Sequence, residues 1–182
     1  MRLPLRYIGD PVLRDKAHEI DFISEEIKIL AKDMIETMHA TNGLGLAAPQ
    51  VGSLLRLFVC VVVQEGENGR MKTEEERVYI NPKIESLSDE MVAMSEGCLS
   101  IPGLYVDDVL RPKTITVSSL DLDGNKIVET ISGWHARVVL HENDHLNGVL
   151  FIDRLQARQK KGLDEEIKKI KKKIEKKSRI GN

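Results

Sequence analysis

The sequence is poor in the features that mark secreted, membrane-spanning or strongly nucleic-acid-binding proteins. Its 182 residues include only two cysteines, too few for a disulfide framework. The longest apolar run, residues 57–63, is far too short to cross a bilayer. Residues 1–6 lack the basic stretch and apolar segment of a secretory signal. We therefore expect a cytoplasmic protein with no membrane partner.

Charge is low overall but unevenly distributed. The formal net charge is −2, which argues against a strong global attraction to nucleic acid. The segment from Arg158 to Arg179 holds eleven Lys and Arg against four Asp and Glu, a balance of +7, so the remainder carries −9. This pattern fits either an interaction tail or the solvated face of a helix. We predict a main domain over residues 1–160 and a basic C-terminal helix or tail over residues 161–182.

Apolar residues at helical spacing predict three main helices. The first covers about residues 24–39, with Ser24 placed to cap its start. The second covers about residues 133–147 and stops at Gly148, a residue type that commonly ends helices. The third covers residues 163–176 and carries one apolar stripe among many lysines.

The middle of the chain is rich in β-branched and apolar residues, which predict strands over residues 55–63, 78–80, 91–94, 104–109 and 115–122. Polar residues 64–76 predict a surface loop, and Asp123-Gly124 predicts a hairpin turn. A helix, then antiparallel strands, then helices indicate an α+β fold. We expect antiparallel β-sheets packed around the central helix 133–147, with helices at both ends of the chain.

The sharpest local signal is His141-Glu142-Asn143-Asp144-His145. Residues four apart lie on one face of a helix, so both imidazoles can bind one ion while Glu142 stays nearby without ligating it. The alternative interpretation is a pair of core histidines that are hydrogen-bonded at a helix end.

A catalytic metal site of this kind needs a third protein ligand and one open position. The metzincin pattern fails because Phe151 stands where its third His should be. Other candidates for the third ligand are glutamates of the basic tail, namely Glu165, Glu166 and Glu175. A simpler role for these glutamates is to offset the charge of the neighbouring lysines. Cys98 is the better candidate, since it lies in a predicted bend and a thiolate beside two imidazoles suits a borderline divalent ion. Cys60, inside an apolar run, is predicted to be a buried core residue.

Three segments then occur in one order: Gly43-Leu44-Gly45-Leu46-Ala47-Ala48-Pro49-Gln50, Glu96-Gly97-Cys98-Leu99-Ser100 and His141-Glu142-Asn143-Asp144-His145. This sequence resembles the bacterial peptide deformylase family, which carries G-x-G-x-A-A-x-Q, E-G-C-L-S and H-E-x-D-H in that order. The resemblance covers roughly residues 5 to 155 and makes residues 1–160 the catalytic domain. Leu140, where many members carry glutamine, is the one departure, and it lies away from both histidines by helical spacing.

The resemblance implies a hydrolase that removes the formyl group from the N-terminal N-formylmethionine of new proteins and releases formate. It implies Cys98, His141 and His145 as ligands of one divalent ion, with Glu142 moving protons. The tetrahedral oxyanion would be stabilised by the Gln50 side-chain amide and the Leu99 backbone N–H. The family generally uses Fe²⁺ in cells, and Zn²⁺, Ni²⁺ or Co²⁺ can occupy the site.

Trp134 and Val138 each lie seven residues before one of the two histidines, so all four fall on the same face of the predicted helix, and Leu44 can join them from the loop at Gly43 and Gly45. These three residues could line a pocket for the methionine side chain, or they could be ordinary core residues. Gly45 and Gly97 are expected to contact the substrate, because glycines permit close backbone approach. The substrate backbone is expected to add as a strand along residues 43–46.

Further roles are predicted around these residues. Asp144 is expected to anchor the helix to a basic residue such as Arg111, and Glu96 to hold the bend at Cys98 in place.

Two rival functions are a zinc peptidase and an RNA- or ribosome-binding module with a structural metal. The basic tail also suggests a second role, transient ribosome contact through phosphates.

Overall fold

The computed structural model describes residues 1–65 and 71–180. Its α-helices are α1 (Glu25–Ala40), α2 (Gly133–Leu146), the short α3 (Ala157–Lys160) and α4 (Leu163–Ile180). Its strands are β1 (Gly45–Ala47), β2 (Leu57–Glu65), β3 (Met71–Leu87), β4 (Met91–Cys98), β5 (Ile101–Pro112), β6 (Thr114–Leu120) and β7 (Lys126–Ser132). Short 3-10 helices lie at Pro11–Arg14, Ala48–Val51 and Phe151–Arg154.

The strands form two antiparallel sheets. The larger has five strands in the order β1-β2-β3-β6-β7, and the smaller is the β4-β5 hairpin. In β1, Gly45 pairs with Cys60 of β2, and no other strand of the described chain pairs with the far side of β1. Since β1 is an edge strand, its outer backbone groups can accept a further strand.

Helix α2 packs against β1 and β2 and lies at the centre of the molecule. Its buried apolar residues join a core that also takes side chains from α1 and the larger sheet, among them Met34, Phe58 and Val139. A second core lies between β5, Phe151 and α4, where Leu163 and Ile170 are buried. The hairpin that carries Cys98 contacts the helix that carries the two histidines through β5. No helix within the two described ranges has the length and apolar character that crossing a bilayer requires.

The predicted α+β class with antiparallel sheets is confirmed, as are the three main helices and the hairpin turn at Asp123-Gly124. Ser24 occupies the N-cap position, but its side chain makes no capping hydrogen bond. The division of the chain at residue 160 stays a prediction.

The loop predicted over residues 64–76 is wrong at both ends. Residues 64–65 end β2 and residues 71–76 begin β3, so the two strands are arms of one long hairpin, while residues 66–70 lie outside the described residues. Hydrophobic alternation did not indicate the outer ends of these strands, because Gln64 and residues 72–76 are exposed and carry polar cross-strand contacts. One such contact is the bond from Gln64 Nε2 to Glu74 Oε2, at 2.9 Å.

Candidate metal centre and active site

Cys98 reaches the centre of the molecule because β4 and β5 are joined by a tight turn. Cys98 pairs with Ile101, which leaves only Leu99 and Ser100 in the turn. The backbone N–H of Ile8 donates to Ser100 O at 2.8 Å, so the amino-terminal segment holds this turn. The predicted bend is therefore a β-hairpin turn that presents the thiol towards α2.

The side chains of Cys98, His141 and His145 converge. One ligand atom from each lies within 4.8 Å of the others, and Cys98 Sγ is 3.3 Å from His145 Nε2. In tetrahedral zinc sites, bonds of about 2.3 Å to sulfur and about 2.0 Å to nitrogen put neighbouring ligand atoms roughly 3.5 Å apart. The spacing and the donor types thus fit a single divalent ion. Glu165, a rival ligand from the sequence, instead pairs with Lys168 at 3.1 Å.

His141 is oriented by Glu96. Its Nδ1 lies 3.1 Å from Glu96 Oε2, which leaves Nε2 as the nitrogen available to a metal. Glu96 is buried, and burial alone would raise its pKa, but hydrogen bonds from His141 and Arg111 hold the pKa well below its usual value. Glu96 was expected to hold the bend at Cys98, and this role stays a prediction; its side chain contacts Arg111 of the same hairpin and His141 and Arg137 of α2.

Glu142 lies in a different environment on the same helix. Its carboxyl group is buried, and loss of solvation raises its pKa to about 7. Its Oε2 atom has no hydrogen-bond partner among the described residues. A Cβ atom added at Gly45 would lie 2.5 Å from Glu142 Oε1, so glycine is needed there to leave room for the carboxyl group. Such a group can accept and release a proton near neutral pH.

The Gln50 amide is held in one orientation. Its Oε1 accepts from the backbone N–H of Ala47 at 2.8 Å, so its Nε2 points the other way. Nε2 donates to Ser100 Oγ at 3.2 Å and lies 3.7 Å from Cys98 Sγ. The donor end of this buried amide therefore faces the converging ligands.

A cavity of about 530 Å³ opens beside these groups. Its wall includes every residue predicted for the substrate, namely Leu44, Gly45, Gly97, Trp134 and Val138, together with Gln50, Cys98, Leu99, His141 and Glu142. His145 is buried and is not among the residues that line the cavity. The wall also contains residues that sequence reasoning missed, notably Tyr105 and Arg137. An arginine inside the apolar stretch of residues 134–140 was the available signal for Arg137.

The comparison with known proteins agrees with this geometry. The family described as polypeptide deformylase matches residues 2–161. The chain belongs to the polypeptide deformylase family. A peptide deformylase from Pseudothermotoga lettingae is 44% identical over 153 residues, 84% of this chain and 82% of the relative. Peptide deformylase 1B of Arabidopsis thaliana, named chloroplastic/mitochondrial, is 41% identical over 96% of this chain, which spans 63% of that relative.

A solved peptide deformylase from Ehrlichia chaffeensis has a TM-score of 0.87 with this structure at 38% identity. The match covers 97% of this chain and 99% of that chain. At this identity and coverage, the likeness extends over the whole arrangement of sheets and helices described above.

Arg111 links two buried carboxylates beside the cavity. Its Nε donates to Glu96 Oε1 at 2.6 Å, and its Nη1 donates to Asp144 Oδ2 at 2.7 Å. The predicted contact between Asp144 and Arg111 is therefore confirmed. Arg137 adds a second cation on Glu96, and Arg154 adds one on Asp144. This network attaches the β4-β5 hairpin to the helix that carries the histidines.

We predict that Arg111→Met destabilises the fold by about 3–5 kcal/mol, because it leaves two buried carboxylates without their shared cation. The free energy of unfolding from urea titration measures the loss. Arg154→Met is the matched control: half of its side chain is exposed and Asp144 keeps Arg111, so the cost should stay below about 1 kcal/mol. Equal losses in the two variants would contradict this account of the network.

Proposed function

We propose that Cys98, His141 and His145 hold one divalent metal ion and that Glu142 transfers protons in the deformylase reaction. Members of the family remove the formyl group from the N-terminal formylmethionine of nascent chains. The observation that carries the assignment is the convergence of the three ligand atoms within 4.8 Å beside the buried Glu142. Three protein ligands and a neighbouring carboxyl group are typical of catalytic rather than structural metal sites, and this separates the proposal from a module with a structural zinc.

When bound, a divalent ion supplies Lewis-acid chemistry, lowering the pKa of water towards about 7 and polarising a carbonyl oxygen. Glu142 accepts a proton from the attacking water and delivers it to the leaving amine, so formate and a free amino terminus depart. Attack on the formyl carbon develops negative charge on the formyl oxygen. The Nε2 group of Gln50 and the backbone N–H of Leu99 donate to this oxygen, and one such donor typically contributes about 2.7–4 kcal/mol.

We assign recognition of methionine to the apolar side of the cavity. Leu44, Trp134 and Val138 line it, and an unbranched thioether chain fits such an apolar wall. The substrate backbone lies along β1 at the open edge of the larger sheet, where Gly45 and Gly97 are both part of the cavity wall. Pairing of an extended peptide with an edge strand holds the backbone and does not depend on its side chains. The alternative function, a zinc peptidase that cuts internal peptide bonds, is disfavoured because the chain belongs to a family whose members remove formyl groups.

We propose Fe²⁺ as the metal in the cell, with Zn²⁺, Ni²⁺ or Co²⁺ able to take its place. One thiolate and two imidazoles accept all four ions, so affinity alone does not select among them. Metal content measured on protein purified without oxygen, beside turnover of a formyl-Met dipeptide, identifies the ion that supports activity.

We also propose a cytoplasmic location. Both cysteines are unpaired thiols, as expected in a reducing compartment. The plant relative named chloroplastic/mitochondrial makes an organelle the alternative.

A transient ribosome contact through α4 is a further part of the proposal. Its apolar stripe packs onto the second core, which leaves lysines such as Lys169, Lys172 and Lys176 exposed for phosphate contacts. Replacing these three lysines with alanine should reduce co-sedimentation with ribosomes at low salt. The control replaces three exposed lysines outside α4 with alanine, namely Lys16, Lys32 and Lys126. This control should leave co-sedimentation with ribosomes unchanged.

We predict that Glu142→Gln lowers kcat for formate release by roughly 10²–10⁴-fold while metal content stays the same. The amide keeps the size of the side chain but cannot accept the proton. Formate production from a formyl-Met dipeptide and metal analysis of the same samples check both parts. A normal rate would remove the proton-transfer role, and loss of the metal would make Glu142 a ligand.

We predict that Trp134→Ala raises KM for formyl-Met peptides by roughly tenfold, because the substitution removes part of the apolar cavity wall. The ratio of kcat/KM for formyl-Met peptides to kcat/KM for formyl-Ala peptides should fall as well. Initial rates with both substrates measure the effect. Phe22→Ala, a change at an aromatic residue that is 78% exposed, is the control and should leave both values unchanged. An unaltered preference in Trp134→Ala would mean that Trp134 is ordinary core.

A further inference from the structure

The β4-β5 hairpin has two unlike faces. On the inner face lie Glu96, Arg111 and Val109, all buried. On the outer face, Met91 pairs with Pro112 and Ala93 pairs with Leu110, so these side chains point the same way. Met91 is 49% exposed and Leu110 is 38% exposed, so the outer face presents large apolar side chains to solvent.

The outer face continues to the cavity through Ser95, which is exposed on the same face between Ala93 and Gly97. A register shift between Met94 and Glu96, at the position where Asp108 adopts a φ of 57°, adds one residue to β5. This bulge keeps Gly97 and its partner Tyr105 on the same outer face as Ala93 and Leu110. Without it, the alternation along β5 would turn Tyr105 inward.

Tyr105 forms the junction between the outer face and the cavity. A Cβ atom added at Gly97 would lie 2.5 Å from Tyr105 Cε1, so the ring lies directly on the glycine backbone. The ring is nevertheless 77% exposed, and Tyr105, Gly97 and Ser95 all line the cavity. An exposed aromatic ring at a cavity mouth offers a flat surface to a peptide that leaves the cavity.

We propose that Tyr105, Ala93, Leu110 and Met91 form an outer track that binds the substrate peptide beyond the residues held in the cavity. The proposal rests on the proposed function and extends it from the first residues of the substrate to its downstream segment. From Gly97 to Met91 the track is about 20 Å long, because a strand rises roughly 3.3 Å per residue. It can therefore hold about six further residues in extended conformation.

The chemistry of the track indicates the kind of peptide that fits it. Its four side chains are apolar or aromatic, and exposed carboxylates lie beside it at Asp89, Asp107 and Asp108. Downstream segments with alternating apolar residues and lysines should bind, and acidic segments should be repelled. A second copy of this chain is a poorer occupant, since four side chains fall well short of the roughly 800 Å² that each partner buries in a stable interface.

Turnover of matched short and long substrates tests the track. We expect a ten-residue formyl-Met peptide, with leucine and lysine alternating downstream, to have a kcat/KM about tenfold above its three-residue counterpart. In the double variant Met91→Ser, Leu110→Ser the two substrates should become equal within about twofold. The short peptide should be turned over at the normal rate, which shows that the variant is folded and active.

The control is a pair of exposed apolar residues on the far edge strand β7, Ile127→Ser with Val128→Ser, which should keep the length advantage. No length advantage in the unmodified protein, or an equal loss in the control, would overturn the track. Dimerisation of the unmodified protein that the Met91→Ser, Leu110→Ser change abolishes would assign this face to a second copy instead. Failure to turn over the short peptide would count against the proposed function itself.

A cross-linking measurement remains informative even without turnover. A ten-residue peptide with a benzophenone side chain at its eighth residue should cross-link to β4 or β5 near Leu110. Cross-links found only on other surfaces would exclude the track, whatever the kinetics show.

Discussion

The carboxylate of Glu96 joins the strand that carries Cys98 to the helix that carries both histidines. It receives hydrogen bonds from Arg111 and Arg137 and contacts Nδ1 of His141. Leaving any member of such a buried network unpaired is costly, so the strand, the helix and the imidazole ring are fixed relative to one another. The meeting of one thiol and two imidazoles depends on this link, because the residues concerned are far apart in sequence.

Two buried glutamates near the same centre are given opposite properties by their surroundings. Glu96 is surrounded by cationic donors and stays ionised, as its depressed pKa indicates. Among the described residues no cationic side chain donates a hydrogen bond to Glu142, and burial raises its pKa to about 7. A carboxylate that stays charged can orient a ligand, whereas one that titrates near neutrality can carry a proton. Gly45, which has no side chain, leaves room for the Glu142 carboxyl group.

The sequence predicted those parts of the site that depend on local spacing. The pair His141 and His145 follows from the helical repeat, and Glu142 follows from its place between them. Cys98 is 43 positions before His141, so no periodicity relates them; donor chemistry and the family motifs selected it. The contact of Asp144 with Arg111 was predicted as an anchor of the helix to a basic residue beside the metal ligands, and it is present at 2.7 Å.

Features that depend on tertiary packing were missed. The outer ends of the β2-β3 hairpin, Gln64 and residues 72–76, are polar and exposed, so their sequence is typical of a loop. Arg137 was not predicted as a partner of Glu96 because a lone arginine in an apolar helix gives no sign of what it faces. Tyr105 lies on Gly97 through a cross-strand pairing whose register is set by a bulge, and a bulge leaves little trace in hydrophobic alternation.

The most direct test of the account is the metal content of two cysteine variants. Cys98→Ala removes the thiol that lies 3.3 Å from His145 Nε2, whereas Cys60→Ala removes the other thiol, which is buried in the core. The account predicts that the protein loaded with one equivalent of metal keeps it in Cys60→Ala and loses it on dialysis in Cys98→Ala, with both variants folded. Full metal retention by Cys98→Ala would contradict it, since the third ligand would then lie elsewhere.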